Sequence, residues 1–170
     1  MDFLELAESR FSCRAFEEKK VEREVIDKIL RAGQVAPTAV NNQPQRILVI
    51  ESEAALEKMK KCTKSHYNAP LAMLVCHSRE ECWKRPFDGK PSGDIDAYIV
   101  CTHLMLEAAN LGVGSTWVMF FDPEAVRTEF KLSDDLEATA LLVMGYPKEG
   151  TVPGPRHFEV KAIEETVKFL

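Results

Sequence analysis

Ala108-Ala109-Asn110-Leu111-Gly112-Val113-Gly114-Ser115-Thr116-Trp117 decides between two architectures. A Gly-x-Gly pair of this kind can open a dinucleotide-binding loop, which leaves a strand and enters a helix so that a pyrophosphate meets the helix N-terminus. Here the order is reversed. Residues 94–111 are apolar on nearly every side (Ile95, Ala97, Ile99, Val100, Leu104, Met105, Leu106, Ala108, Ala109), the pattern of a helix buried in the fold or at a subunit interface. Gly112 stops it, and residues 115–121 are β-prone. Helix, loop, strand excludes the Rossmann arrangement. The glycines are left as a helix terminator and as backbone that a flat ligand can approach closely, because no Cβ stands in the way.

Working outward, residues 47–50, 71–76 and 139–144 are further apolar runs of strand length. Residues 2–9 place Phe3, Leu6 and Ala7 at helical spacing, and Val25, Ile26, Ile29 and Leu30 share a second helical face. Ser52 caps a helix to about residue 61 with Ala55, Leu56 and Met59 inward. Asp122-Pro123 supplies an N-cap followed by proline at the first helical position, with Val126 and Phe130 on the inner face. The tail beyond Gly145-Tyr146-Pro147 carries Pro153, Gly154 and Pro155 before Arg156, then apolar contacts at Val160, Ile163 and Val167. Helices alternating with four apolar strands predict an α+β or α/β sandwich, one domain over residues 1–170, with a sheet covered on both faces.

The balance of 45% hydrophobic and 29% charged residues over 170 positions suits one compact core. A net charge of −5 without any Lys/Arg cluster argues against nucleic acid and anionic membrane surfaces as partners. The first residues carry acid where a signal peptide carries base, and no apolar run approaches the ~20 residues of a membrane span, so a cytoplasmic protein is expected. Five cysteines, an odd number without framework spacing, read as free thiols.

Two segments could hold a ligand. Arg10-Phe11-Ser12-Cys13-Arg14 sets two guanidiniums and a hydroxyl at the end of the first helix, donors suited to a phosphate. The same arginines could instead cap that helix and pair with Glu8, Glu17 or Glu18. Residues 37–44 bracket Thr38, Asn41, Asn42 and Gln43 between prolines, offering the donors and acceptors an isoalloxazine edge needs, though such a turn is also ordinary loop chemistry. Residues 77–92 are long, polar and without periodicity, which suits a binding loop or lid. No Gly-x-Ser-x-Gly elbow occurs, and His66, His77, His103 and His157 stand at no recognised nucleophile spacing, which argues against a serine or cysteine hydrolase. Cys76-His77 with Cys82 lacks a second pair to complete a metal site, and no metal is expected. His103 reads as a hydrogen-bonded core histidine; Trp83 and Trp117 read as packing residues.

Taken in order, these motifs resemble the FMN-dependent nitroreductase family across essentially the whole chain. Arg10-Phe11-Ser12-Cys13-Arg14-Ala15-Phe16 is similar to the family's Arg-x-Ser-x-Arg-x-Phe opening, and Ala36-Pro37-Thr38-Ala39-Val40-Asn41-Asn42-Gln43-Pro44 to its Ala-Pro-Ser-x-x-Asn-x-Gln-Pro loop. Asp96-Ala97, opening a helix that ends Leu106-Glu107-Ala108-Ala109-Asn110-Leu111-Gly112-Val113-Gly114-Ser115-Thr116-Trp117, is similar to Leu-x-Ala-x-x-x-Gly-Leu-Gly-x-x-Trp. Gly145-Tyr146-Pro147 followed by Arg156 resembles the closing signature.

The resemblance implies an α+β fold with a central, mostly antiparallel sheet flanked by helices, in an intertwined homodimer whose interface builds two shared FMN sites. It implies that Arg10, Ser12 and Arg156 hold the phosphate alongside Phe11, with Arg14 at the phosphate or the pyrimidine edge. Pro37, Thr38, Ala39, Asn41 and Gln43 would reach the ring from the partner subunit, and the backbone of Thr116, Trp117, Val118 and Met119 would approach its N5 side. The implied activity is hydride transfer from NAD(P)H through FMN to an electron-poor acceptor such as a nitroaromatic or quinone. No catalytic side chain is required, since the cofactor carries the chemistry. Gln45 stands where an aromatic commonly follows the proline, and the chain is shorter than the well-known members. Dehalogenation, flavin reduction or destruction, dehydrogenation and a non-catalytic flavin-binding module remain open alternatives.

Overall fold

The computed structural model describes residues 2–170. In chain order the elements are α1 (Phe3–Ser9), α2 (Arg23–Gln34), a 3-10 turn (Ala39–Asn41), β1 (Gln45–Ile50), α3 (Glu53–Cys62), β2 (Leu71–Ser78), α4 (Gly93–Asn110), β3 (Gly114–Val118), α5 (Pro123–Phe130), β4 (Leu136–Gly145), a second 3-10 turn (Pro155–Phe158) and α6 (Ile163–Thr166). Side-chain caps mark three helix starts. Asp2 and Glu5 form a capping box on α1, Ser52 Oγ accepts the Ala55 N–H, and Asp122 accepts the N–H groups of Glu124 and Ala125.

The strands form one sheet in the order β1-β2-β4-β3, and every neighbouring pair is antiparallel. All eight residues of β2 are buried because both faces are covered. Leu71, Met73 and Val75 point to the face packed by Ile26 and Ile29 of α2 and by Ala97, Val100, Leu104 and Ala108 of α4. Ala72, Leu74 and Cys76 face Met59 and Cys62 of α3 and Val126 of α5. The alternation follows from the two-residue period of a strand.

A short N-terminal segment extends the sheet beyond β3. Ser12 bridges Ser115 in the parallel sense, the Cys13 N–H donates to the Ser115 carbonyl at 2.9 Å, and Phe16 bridges Pro147. Gly112 has φ +76° and turns the chain out of α4, while a Cβ on Gly114 would lie 2.9 Å from Cys13. The close approach allowed at Gly114 is therefore made by the chain itself, not kept open for a ligand.

Several sequence expectations change. His77 and Ser78 belong to β2 and Ser92 is the N-cap of α4, so the irregular loop is residues 79–91. The third strand begins at Gly114 and ends at Val118. His103 is half-buried, not a core residue. α4 is buried on one face only, for Ile95 and Tyr98 are exposed, and Val160, Ile163 and Val167 in the tail find no cover. Arg10 and Arg14 do not pair with Glu8, Glu17 or Glu18.

Candidate cofactor site

Arg10, Phe11, Ser12, Arg14 and Arg156 line one cavity of about 680 Å³, together with Gly154, Pro155, His157 and Glu159. Three elements build it. The end of α1 delivers Arg10, whose backbone N–H caps the helix by donating to Leu6; the bridge of Ser12 to β3 fixes the middle of the motif; and the tail's 3-10 turn returns Arg156 from the far end of the chain. His157 packs edge-on against Phe11 with ring centroids 6.5 Å apart, tying the tail to the motif. Among the described residues none of the ion pairs includes Arg10, Arg14 or Arg156. Arg14 reaches only the Ser12 carbonyl, at 3.3 Å. Three guanidiniums free of carboxylate partners and a hydroxyl around one opening are a donor set for a phosphate.

Cys13, inside this motif, is fully buried and donates its thiol to the Ala15 carbonyl. Burial pushes its pKa up, against smaller opposing effects of that hydrogen bond and of Arg14. It is a packing thiol, not a nucleophile. Behind it the hydroxyl of Thr116 donates to the Cys13 carbonyl, so Thr116 spends its side chain on the fold. Trp117 packs on Tyr98 at 5.6 Å between centroids and donates its indole N–H to Met119 Sδ at 3.2 Å. Val118 is buried in the α3/α5 face, and Met119 is exposed.

The 37–44 loop lies elsewhere in the protomer. β1 leaves it at Gln45, which pairs with His77, and the Pro44 carbonyl accepts the Ser78 N–H at 2.9 Å. Gly114, by contrast, pairs with Gly145 at the opposite end of the sheet. Thus Pro37, Thr38, Ala39, Asn41 and Gln43 do not line the basic cavity. The loop is strained and internally braced. Val40, Asn41 and Gln43 have φ of 47°, 59° and 52°, and a left-handed non-glycine residue such as Val40 costs about 1–2 kcal/mol. Thr38 Oγ accepts the Gln43 N–H, Asn42 Nδ2 donates to the Glu81 carbonyl, and the Ala39 N–H donates to Asp96. Asp96 was invisible as a site residue because acid in the first turn of a helix is an ordinary dipole feature. Its signal is burial, which the sequence does not print. Among the described residues no group of three or more His, Cys, Asp or Glu is arranged to hold a metal, and no helix is long and apolar enough to cross a membrane.

The nitroreductase family model matches residues 7–92 and 66–146. The chain belongs to the nitroreductase family. A crystal structure of a family member from Clostridium difficile shares 43% identity and superimposes with a TM-score of 0.93 over 99% of this chain and 98% of that one. A curated relative from Methanothermobacter thermautotrophicus, provisionally named an NADH dehydrogenase/NAD(P)H nitroreductase, is 29% identical over 168 residues, covering 92% of this chain and 82% of its own. A second Clostridium difficile protein, described as an FMN-dependent nitroreductase, shares the fold at 23% identity with a TM-score of 0.79, each chain covered to 98%. The antiparallel sheet flanked by helices is the α+β architecture of this family.

Proposed function

We propose that this nitroreductase-family protein is an FMN-dependent oxidoreductase working as a homodimer. The observation that carries the proposal is the cavity where Arg10, Ser12, Arg14 and Arg156 converge, its arginines in none of the ion pairs among the described residues. These residues fit a phosphate-bearing cofactor, and the family includes FMN-dependent members. FMN, when bound, supplies a two-electron carrier that takes hydride from NAD(P)H and passes electrons to a nitroaromatic or quinone. The name of the Methanothermobacter relative supports the nicotinamide donor.

The chain's own residues have defined tasks in this scheme. Arg10, Ser12 and Arg156 hold the phosphate, Phe11 packs beside it, and Arg14 supplies positive charge near the electron-rich edge of a reduced ring. The backbone from Thr116 to Met119, at the end of β3, would approach the flavin ring. Pro37, Thr38, Ala39, Asn41 and Gln43 would reach a flavin from the partner subunit, giving two composite sites per dimer, and their place away from the basic cavity of their own chain supports that reading. The exposed face of α4 and the exposed apolar tail supply the surface such a dimer would cover. The 79–91 loop touches the 37–44 loop through the Glu81 carbonyl, which accepts from Asn42, and its Trp83, Arg85 and Phe87 would meet an acceptor; Phe87 is 95% exposed.

The test is flavin binding followed by turnover. FMN added to the purified protein should co-elute with it and shift its visible bands, and NAD(P)H should bleach them faster than free flavin. Arg10→Ala should weaken binding by about 1.5–3 kcal/mol, the worth of a hydrogen bond to a charged group. A protein that ignores FMN would sink the proposal, and one that binds it without accelerated bleaching would be a flavin-binding module.

A further inference from the structure

The strained 37–44 loop is held by a side chain that lies outside it. Asp96, in the first turn of α4, is only 1% exposed, yet none of the ion pairs among the described residues includes it. Its Oδ1 accepts the Ala39 N–H at 2.8 Å, and its Oδ2 accepts the Ser92 hydroxyl at 2.7 Å. Burying a carboxylate is costly unless its lone pairs are used. The helix does not need this one, because the exposed Asp94 already places negative charge at the α4 N-terminus. What Asp96 adds is a bond to the backbone of the polar loop, 57 residues away in sequence.

That bond falls at a decisive point. Thr38 is extended, Ala39 opens the 3-10 turn, and the three left-handed residues follow within four positions. The turn then closes on itself, with the Asn41 and Asn42 N–H groups donating to the Thr38 and Ala39 carbonyls. Drawing the Ala39 N–H toward α4 turns the outer side of the loop, with Val40, Asn41 and Gln43, to solvent. Ser92 carries the same restraint to the 79–91 loop, since its own N–H donates to the Trp83 carbonyl at 2.8 Å.

We propose that Asp96 is a positioning residue of the cofactor site, its buried carboxylate fixing the Thr38–Gln43 loop in the conformation that the flavin of the partner subunit meets. The assignment rests on the FMN proposal above.

Full-length wild type, Asp96→Ala and Asp96→Asn would be compared in two ways: amide exchange of Ala39 in the FMN-free protein, and FMN affinity with the visible circular dichroism of bound flavin. Asp96→Ala should speed Ala39 exchange and raise the FMN dissociation constant, each by about tenfold or more, the loss expected from one charged hydrogen bond. Asp96→Asn keeps an acceptor oxygen and should stay within about threefold of wild type. Core amides such as Leu74 should exchange as before. The proposal falls if Asp96→Ala binds FMN with unchanged affinity and dichroism, or if Leu74 exchange speeds up as much as Ala39 exchange, which marks global loosening. Should Asp96→Ala not fold, Ser92→Ala removes only the Oδ2 bond; a smaller shift in the same direction supports the proposal and no shift overturns it. If wild type itself fails to bind FMN, the cofactor proposal fails, and Ala39 exchange still decides whether Asp96 sets the loop.

Discussion

α4 and the tail, residues 148–170, are both rich in large apolar residues, but the chain covers only the first. Ala97, Val100, Cys101, Leu104 and Ala108 of α4 are fully buried between α2 and the sheet. Phe158, Val160, Ile163, Phe169 and Leu170 of the tail lie open, Val160 at 85% and Phe169 at 91% exposure, and no residue of the tail is buried. Isolated exposed apolar residues are unremarkable, whereas a run of them beyond the last strand is not. α4 itself shows both conditions, with Ile95 and Tyr98 exposed on the face turned away from the sheet. The difference teaches that apolar content reports a need for cover without saying which chain provides it. Burial within the protomer stabilises the fold; the uncovered remainder is available for assembly.

The largest expected effect lies on the covered side. Leu104 is fully buried between Gly33 of α2 and the sheet, so Leu104→Ala should lower unfolding free energy by about 2–5 kcal/mol, read by denaturant titration. A loss under 1 kcal/mol would mean that α4 is not the centre of the core. Next comes a pH effect from thiols buried on the two faces of the sheet, Cys101 with α4 and Cys76 toward α3 and α5. Burial pushes the thiols of Cys76 and Cys101 up to about 12. Unfolded thiols ionise near pH 8.5 while the native ones keep their protons, so above that pH the unfolded state binds fewer protons and stability falls. The loss should reach about 1.4 kcal/mol per thiol between pH 7.5 and 9.5, and Cys76→Ala with Cys101→Ala should flatten the slope. Equal slopes in wild type and double variant would place the titration elsewhere.

How much of this was legible in the sequence follows the same division. All four strands and the long helices stand out as apolar runs, since burial on both faces of β2 leaves an unbroken run from Leu71 to Cys76. Caps such as Asp122-Pro123 are local chemistry and read directly. The pairing of Ser12 with Ser115 and the reach of Asp96 to Ala39 are long-range contacts that carry no periodicity, so motif order and family resemblance had to stand in for them. Resemblance grouped Arg10, Ser12, Arg14 and Arg156, and the structure places all four on the lining of one cavity. It assigned Pro37 to Gln43 to a partner subunit, and the structure keeps that loop off the basic cavity of its own chain, but the contacts expected of Val160, Ile163 and Val167 are missing. Both are questions of which chain supplies the neighbour.

The smallest expected effect separates the two kinds of apolar surface most cleanly. Phe158→Ala and Val160→Ala together remove side chains that lie open in the protomer, so unfolding free energy measured on the monomer at high dilution should move by no more than about 0.5 kcal/mol. The same double variant should weaken the proposed dimer measurably, since aromatic residues are the usual anchors of an interface and their truncation costs more than about 1 kcal/mol where they are buried by a partner. Sedimentation at a series of concentrations reads the second quantity and dilute denaturation the first. A stability loss without any change in association would place the tail on its own protomer. If neither quantity moved, the tail would be plain surface, and the proposed dimer would be left with the exposed face of α4 as its only apolar contact among the described residues. Only association weakening at constant monomer stability matches a tail whose cover comes from the second subunit.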